Sequence, residues 1–316
     1  MSQQNGHTDG QPRSVTLRVF RYGGAGAAAA RFDTFTLDAP PGTTVLSALF
    51  QVRREQDSSL GFRFSCRGAV CGACAMTING RCALACRTQI ASLGTPEVVI
   101  EPLPNLDVVR DLIVDMRPFW EKYRRVQPWL HVAVESEGSK KSLAEPPLSP
   151  PLVRGGKEMS PPLLREGEQG KALRPSKAGE TPAPPVPTPS GNRQSPRDVA
   201  RVDALANCIL CACCYGSCGV LRRQTEYLGP AALAKLARFS EDSRDRRPIA
   251  ALTDLDGESE GMWGCHMLHR CSNACPKDAN PDAGIAALRR RLVEHRSKTG
   301  VAAVRRFFGD RLGRKT

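Results

Sequence analysis

The sequence predicts an α+β protein in two parts, a small sheet with one helix over residues 14–104 and an all-helical part over 198–316. Three observations predict it. Residues 14–22 and 32–38 alternate apolar and polar, the period of half-buried strands. From Asp198 onward apolar residues recur at three- and four-residue intervals, the period of a helix. Between the two parts, thirteen of the 25 prolines fall between Pro146 and Pro196, in Ser-, Gly-, Lys- and Glu-rich surroundings. Such composition buries too little apolar surface for a core, so residues 135–197 are expected to be a disordered, semi-extended linker.

Taken in order, residues 1–13 are polar and expected to be disordered; they show neither the apolar stretch of a secretory leader nor a twin-arginine signal. Strand 14–22 is followed by a loop over 23–30 and by strand 32–38, which Pro40-Pro41-Gly42 ends. Thr43 or Thr44 can cap a helix running to about Gln56, with Val45, Leu46, Leu49 and Val52 on one face. Asn79-Gly80 is a hairpin turn between two short strands, and Val98 to Ile100 completes the sheet. Residues 105–134 form a connector. In it Leu106, Val109, Leu112, Ile113 and Met116 have helical spacing, and Phe119, Trp120, Tyr123 and Trp129 are expected to pack between the two parts. A short repeat in the linker, SPPLVRGGKE and SPPLLREGEQ, has too few and too polar copies for a solenoid. In the last part Val199, Val202, Leu205 and Ala206 mark one helix. Gly229-Pro230 opens a second with Leu233, Leu236 and Ala237, and Ile285, Leu288, Leu292 and Val293 mark a third.

The chemistry lies in the cysteines. Thirteen in a chain without a leader indicate metal ligation in a reducing compartment rather than disulfides. Cys208, Cys211, Cys214 and Cys218 form C-x2-C-x2-C-x3-C, in which three thiolates hold one cubane cluster and the fourth reaches another. Cys265, Cys271 and Cys275, followed by Pro276, repeat that run with Leu268 where one cysteine would stand. Leucine cannot ligate iron, so the eight positions supply seven ligands, which suits one [4Fe-4S] and one [3Fe-4S] cluster. Upstream, Cys66, Cys71 and Cys74 have the C-x4-C-x2-C spacing of plant-type [2Fe-2S] proteins. Cys86 is the natural fourth ligand and Cys82 a rival for the position; Gly68 and Gly72 let backbone amides approach the sulfurs. Strands, helix and cluster loop together describe a β-grasp ferredoxin-like domain, followed by an α-helical ferredoxin domain.

The formal net charge is +13, with much of the excess in Arg289-Arg290-Arg291, Arg305-Arg306 and Arg311 to Lys315. A solvated helix face, an anionic membrane face or an acidic protein surface accounts for it. Nucleic acid is not expected as a partner, because no binding motif or aromatic interleaving accompanies the charge. No run reaches the roughly 18–20 apolar residues of a membrane span. A nucleotide-binding glycine motif, a Ser/His/Asp set and a paired carboxylate site are all missing from the sequence, so no independent active site is expected.

With the three cysteine groups in place, the chain resembles the iron–sulfur subunit of the succinate dehydrogenase/fumarate reductase family over about residues 14–134 and 198–295. The resemblance rests on SCRGAVCGACAMTING, YLGPAALAKLARFSEDSRD, CILCACC and CHMLHRCSNACPK, in that family's order and spacing. It implies [2Fe-2S] at Cys66, Cys71, Cys74 and Cys86, [4Fe-4S] at Cys208, Cys211, Cys214 and Cys275, and [3Fe-4S] at Cys218, Cys265 and Cys271, with Cys213 not a ligand. It also implies an electron-transfer role between a separate FAD flavoprotein, which interconverts succinate and fumarate, and a quinone held by membrane-anchor subunits, with or without haem. The chain would then sit at the cytoplasmic face of the inner membrane, peripheral through its partners. The sequence departs from the family twice. The linker is an insertion, tolerated because loop-closure cost grows slowly with length. Many ubiquinone-reducing members have Pro and then tryptophans after the equivalent of Cys218, where this chain has Gly219 to Arg223. That resembles the menaquinone-linked subgroup. His266, Arg222 and Arg223 follow predicted [3Fe-4S] ligands and are expected on the quinone side. Two other readings are a soluble relay for another flavoprotein and an iron–sulfur redox sensor that binds nucleic acid.

Overall fold

The computed structural model describes residues 13–24, 29–131, 193–255, 257 and 260–312. The expected linker therefore lies outside the described residues except for 193–197, and the expected disordered N-terminus except for Arg13.

Strands β1 (Arg13–Arg21) and β2 (Arg31–Ala39) pair antiparallel, with Leu17 opposite Phe35. Their alternation holds: Val15, Leu17, Val19, Phe35 and Leu37 are buried. Helix α1 (Val45–Glu55) is capped by Thr44, whose side chain accepts from the Ser47 amide, and it buries Val45, Leu46, Leu49 and Val52 on the sheet. Strands β3 (Ala75–Ile78) and β4 (Arg81–Leu84) are joined by Asn79 and Gly80, both at positive φ, the conformation a two-residue primed turn requires. Strand β5 (Glu97–Glu101) runs parallel to β1 and antiparallel to β3, giving the mixed order β2-β1-β5-β3-β4.

The connector is not helical where its apolar spacing predicts it. Residues Val108–Arg110 (β6) and Ile113–Val114 (β7) form a two-stranded sheet, turning at Asp111 with φ of 46°. The reason is tertiary. The Asp111 carboxylate, 4 % exposed, accepts from Arg21 Nε (3.1 Å), the Tyr22 amide (3.0 Å) and the Gly61 amide (2.8 Å). Burying that group among donors outweighs a weak helical preference. Helix α2 (Arg117–Arg125) starts only after Met116.

In the second half, α3 (Pro196–Ala206) begins two residues before the predicted boundary, because Ser195 caps it by accepting from the Asp198 amide. A four-residue turn α4 (Cys213–Gly216) precedes α5 (Pro230–Ser240). The short α6 (Ala250–Thr253) and α7 (Arg270–Asn273) lead to the long α8 (Pro281–Leu312). Ile285, Leu288, Leu292 and Val293 all lie in α8, the first three buried and Val293 exposed. A Cβ at Gly284 would lie 3.0 Å from Leu205 and 3.2 Å from Ala237, so glycine lets α8 approach α3 and α5 closely. The connector aromatics pack across the halves. Phe119 is buried and meets Tyr215 edge-on at 5.6 Å, and Arg247 donates to the carbonyls of Val126, Gln127 and Trp129.

Asp242 ends the turn after α5. Its carboxylate is inaccessible to solvent and accepts from Arg238, Arg244 and Gln194. Hydrogen bonds from Arg244 above all hold its pKa down at about 2. A carboxyl depressed in the folded state stabilises above its unfolded pKa and loses that contribution as pH falls toward its folded pKa. Stability should therefore decline between about pH 4 and pH 2, by on the order of 2 kcal/mol from this group. Asp242→Asn should flatten that part of a pH series of denaturant midpoints.

Candidate metal centres

The loop from Cys66 to Cys74 wraps its backbone around its own sulfurs. The amides of Gly68, Val70 and Cys71 donate to Cys66 Sγ at 3.4, 3.3 and 3.2 Å, and the Cys66 amide donates to Cys71 Sγ at 3.4 Å. Those amides pull the Cys66 thiol down to about 6, with the Cys71 amide the largest cause. Arg67 and Ala69 sit at φ of 55° and 57° to permit this. Cys74 and Cys86 come within hydrogen-bonding reach of each other, and burial pushes Cys74 up to about 12. Cys82 faces elsewhere: its sulfur is buried beside Thr77 and would lie 3.1 Å from a Cβ at Gly216, in the other half.

The two downstream loops are copies of one another in backbone. After Cys208, Leu210 and Ala212 have φ of 56° and 64° and α4 follows; after Cys265, Met267 and His269 have φ of 51° and 58° and α7 follows. In this register Leu268 occupies the place of Cys211, and it is 57 % exposed. Left-handed residues at every second position turn successive amides inward as a nest for negative charge. Consistent with that, the Met267 amide donates to Cys265 Sγ at 3.4 Å and the Ala279 amide to Cys275 Sγ at 3.3 Å.

Two small cavities divide the seven thiols. One is lined by Cys208, Cys211, Cys214 and Cys275, the other by Cys218, Cys265 and Cys271. Burial raises the Cys208, Cys214 and Cys218 thiols and pushes Cys271 up to about 11. Contact with Cys213 brings Cys211 down to about 7. Tyr227 also lines the second cavity, with its hydroxyl buried. Cys265 and Cys218 are among its neighbours. The thiols and inward amides fit an anionic, sulfur-rich group. Among the described residues no three His, Cys, Asp or Glu side chains close on a point suited to a single ion. Thiolates of a multi-iron cluster bind different irons and stand further apart.

The three groups lie in sequence through space. Gly72 abuts Cys211, so that a Cβ added to it would lie 2.8 Å from the Cys211 Cβ. The α4 turn then separates Cys214 from Cys218. Asn105, which sequence reasoning missed, holds that turn: its Nδ2 donates to the carbonyls of Tyr215 (2.9 Å), Gly216 (3.0 Å) and Cys218 (3.0 Å). Nothing in a Pro-Asn pair of a connector signals a partner more than a hundred residues away. Of the three residues expected on the quinone side, His266 lines the cavity of Cys218, Cys265 and Cys271, Arg222 lines an adjoining groove of about 780 Å³ that shares Cys218, Gly219 and Arg270 with that cavity, and Arg223 is exposed.

Comparison with known proteins agrees with this geometry. A family described as a 2Fe-2S iron-sulfur cluster binding domain matches residues 16–121, and a 4Fe-4S dicluster domain matches residues 204–279. Fold and thiol groups thus define a two-domain iron–sulfur protein of the ferredoxin type. The mitochondrial succinate dehydrogenase [ubiquinone] iron-sulfur subunit 1 of Oryza sativa subsp. japonica is 35 % identical over 254 residues, 80 % of this chain and 72 % of that one. The chain belongs to the family of succinate dehydrogenase iron–sulfur subunits. Its fold also matches a chain of the Mycobacterium smegmatis Sdh1 complex in the apo form, with a TM-score of 0.63 and 21 % identity over 90 % of this chain and 97 % of that one. Among the described residues no helix is long and apolar enough to cross a membrane.

Proposed function

We propose that this chain carries electrons between an FAD flavoprotein subunit and a quinone, of the menaquinone type, held by membrane-anchor subunits at the cytoplasmic face of the membrane. When bound, three clusters supply one-electron sites between a two-electron flavin and a two-electron quinone. Residues 14–104 and 198–316 are the two carrier domains, 105–134 connects them, and 135–197 is an inserted linker. Cys66, Cys71, Cys74 and Cys86 hold [2Fe-2S]; the pairing of Cys74 with Cys86, and the turning away of Cys82, support Cys86. Cys208, Cys211, Cys214 and Cys275 hold [4Fe-4S], and Cys218, Cys265 and Cys271 hold [3Fe-4S], as the two cavities suggest. His266, which lines the second cavity, is to meet a quinone oxygen, with Arg222 and Arg223 on the same side of the chain. The menaquinone assignment rests on Gly219 to Arg223 standing where other members have Pro and tryptophans.

The observation that carries the reading is the unbroken order of the thiol groups, from the Gly72–Cys211 contact through α4 to the second cavity. The test is purification of the native complex, with EPR at several potentials and analysis of flavin, haem, quinone and subunits. Three separate cluster signals and a covalently or tightly held flavin are expected. Two signals, or a chain that purifies without a flavoprotein, would overturn the proposal.

Leu268 gives a sharper check. Because its loop repeats the backbone of the Cys208 loop, a thiol there would stand where Cys211 stands. Leu268→Cys should supply the missing ligand, abolish the oxidised three-iron EPR signal and raise the iron content. An unchanged signal with a freely alkylated new cysteine would count against the assignment.

A further inference from the structure

Helix α8 grips both ends of the loop that runs from Cys265 to Cys271, and it does so with opposite charges. In its first turn Asp282 pairs with His269 Nδ1 at 2.5 Å, accepts from Ser272 Oγ, and accepts from the Ala283 amide at 2.7 Å. His269 and Ser272 flank Cys271. Seven residues on, nearly two full turns and so on the same face, Arg289 reaches the other end. Its Nη2 donates to the carbonyls of Cys265 (2.6 Å), Met262 (2.7 Å) and Trp263 (3.2 Å), and its Nε donates to Met262 (3.0 Å). The guanidinium also lies over the Trp263 ring, 4.9 Å from its centroid. Four donor contacts on the carbonyls of Met262, Trp263 and Cys265 are more than a surface arginine needs. They fix the backbone from which Cys265 projects and place a permanent cation one residue's main chain from its sulfur.

We propose that Arg289 and Asp282 are a matched pair of positioning residues. They hold the Cys265–Cys271 loop open for its cluster, and they set that cluster's reduction potential with opposite signs. This rests on the assignment of Cys218, Cys265 and Cys271 to one cluster. The physical reason is charge. Reduction adds one electron, so a nearby cation favours the reduced form and raises the potential, while a nearby carboxylate lowers it. The rigidity of α8, packed through Gly284 against α3 and α5, keeps both charges at constant distance.

The experiment is an EPR-monitored redox titration of the native complex carrying each variant. Arg289→Gln should lower the midpoint potential of the cluster at Cys218, Cys265 and Cys271, and Asp282→Asn should raise it, with the other two clusters unmoved. Arg289→Lys, which restores the charge without the three-carbonyl fork, should recover part of the shift while iron content per chain falls. Shifts of the same sign in Arg289→Gln and Asp282→Asn, or none in variants with full iron content, would overturn the proposal. So would loss of the cluster in all three, which would leave a purely structural role. A wild-type complex without a three-iron signal would instead sink the cluster assignment, and the paired shifts would then be sought in whichever cluster these thiols hold.

Discussion

Gly72→Ala should damage this protein where its first thiol loop meets the second. Gly72 has φ of 74°, which a residue with a Cβ adopts at a cost of roughly 1–2 kcal/mol. Its Cβ would lie 2.8 Å from the Cys211 Cβ and 2.9 Å from the Cys211 Cα, contacts that no rotamer change relieves. Overpacking of this kind adds about 1–3 kcal/mol. The clash falls where the first thiol loop touches the second, so relief requires the two domains to part. Thermal unfolding of the purified complex should start at lower temperature, and on the electron path proposed above succinate-driven quinone reduction should fall much more than reduction of an artificial acceptor that takes electrons from the flavoprotein. Equal turnover with both acceptors would mean that the Gly72–Cys211 contact does not position the carriers.

Asp111→Ala should be strongly destabilising. It removes the acceptor of Arg21 Nε and of two backbone amides, Tyr22 and Gly61. Arg21 is 6 % exposed and would keep Asp57 and Asp33 as partners, but it would lose the carboxylate that ties β1 to the β6–β7 hairpin. Breaking one partner of a buried ion pair costs about 3–5 kcal/mol, because it leaves donors without water or acceptor. Asp111→Asn keeps the shape and should cost less. Denaturant unfolding followed by circular dichroism measures both. A loss under about 1 kcal/mol for Asp111→Ala would show that the remaining aspartates suffice.

The parts of the fold that were legible in the sequence are those decided by near neighbours. The alternation of β1 and β2, the Thr44 cap, the Asn79-Gly80 turn and the helix opened by Pro230 each depend on residues within a turn or a strand of one another. The thiol loops belong with them. Their cysteine spacing fits a nest of left-handed residues that forms locally, and the gap at Leu268 was readable because the second loop repeats the first. The connector was misread because its apolar spacing suits a helix, and nothing nearby contradicts that.

The sequence by itself determined the kind of protein: two ferredoxin-type parts and three groups of cysteines, with seven of the eight positions of the paired downstream runs filled by cysteine. Only the tertiary structure decided how those groups are held in line. The hairpin at Asp111 exists because Arg21 lies 90 residues earlier, and the α4 turn is capped by an Asn105 some 110 residues before it. It also put His266 on the small cavity of Cys218, Cys265 and Cys271 and Arg222 on the larger groove that adjoins it. Cys82 and Cys86, four residues apart, differ in the same way, one facing the other half and one facing Cys74. The physical reason is common to all four. A buried charge, amide or thiol takes whichever partner the packed chain brings within about 3 Å, and a pattern in the sequence carries the demand for a partner without saying where in the chain it will be found.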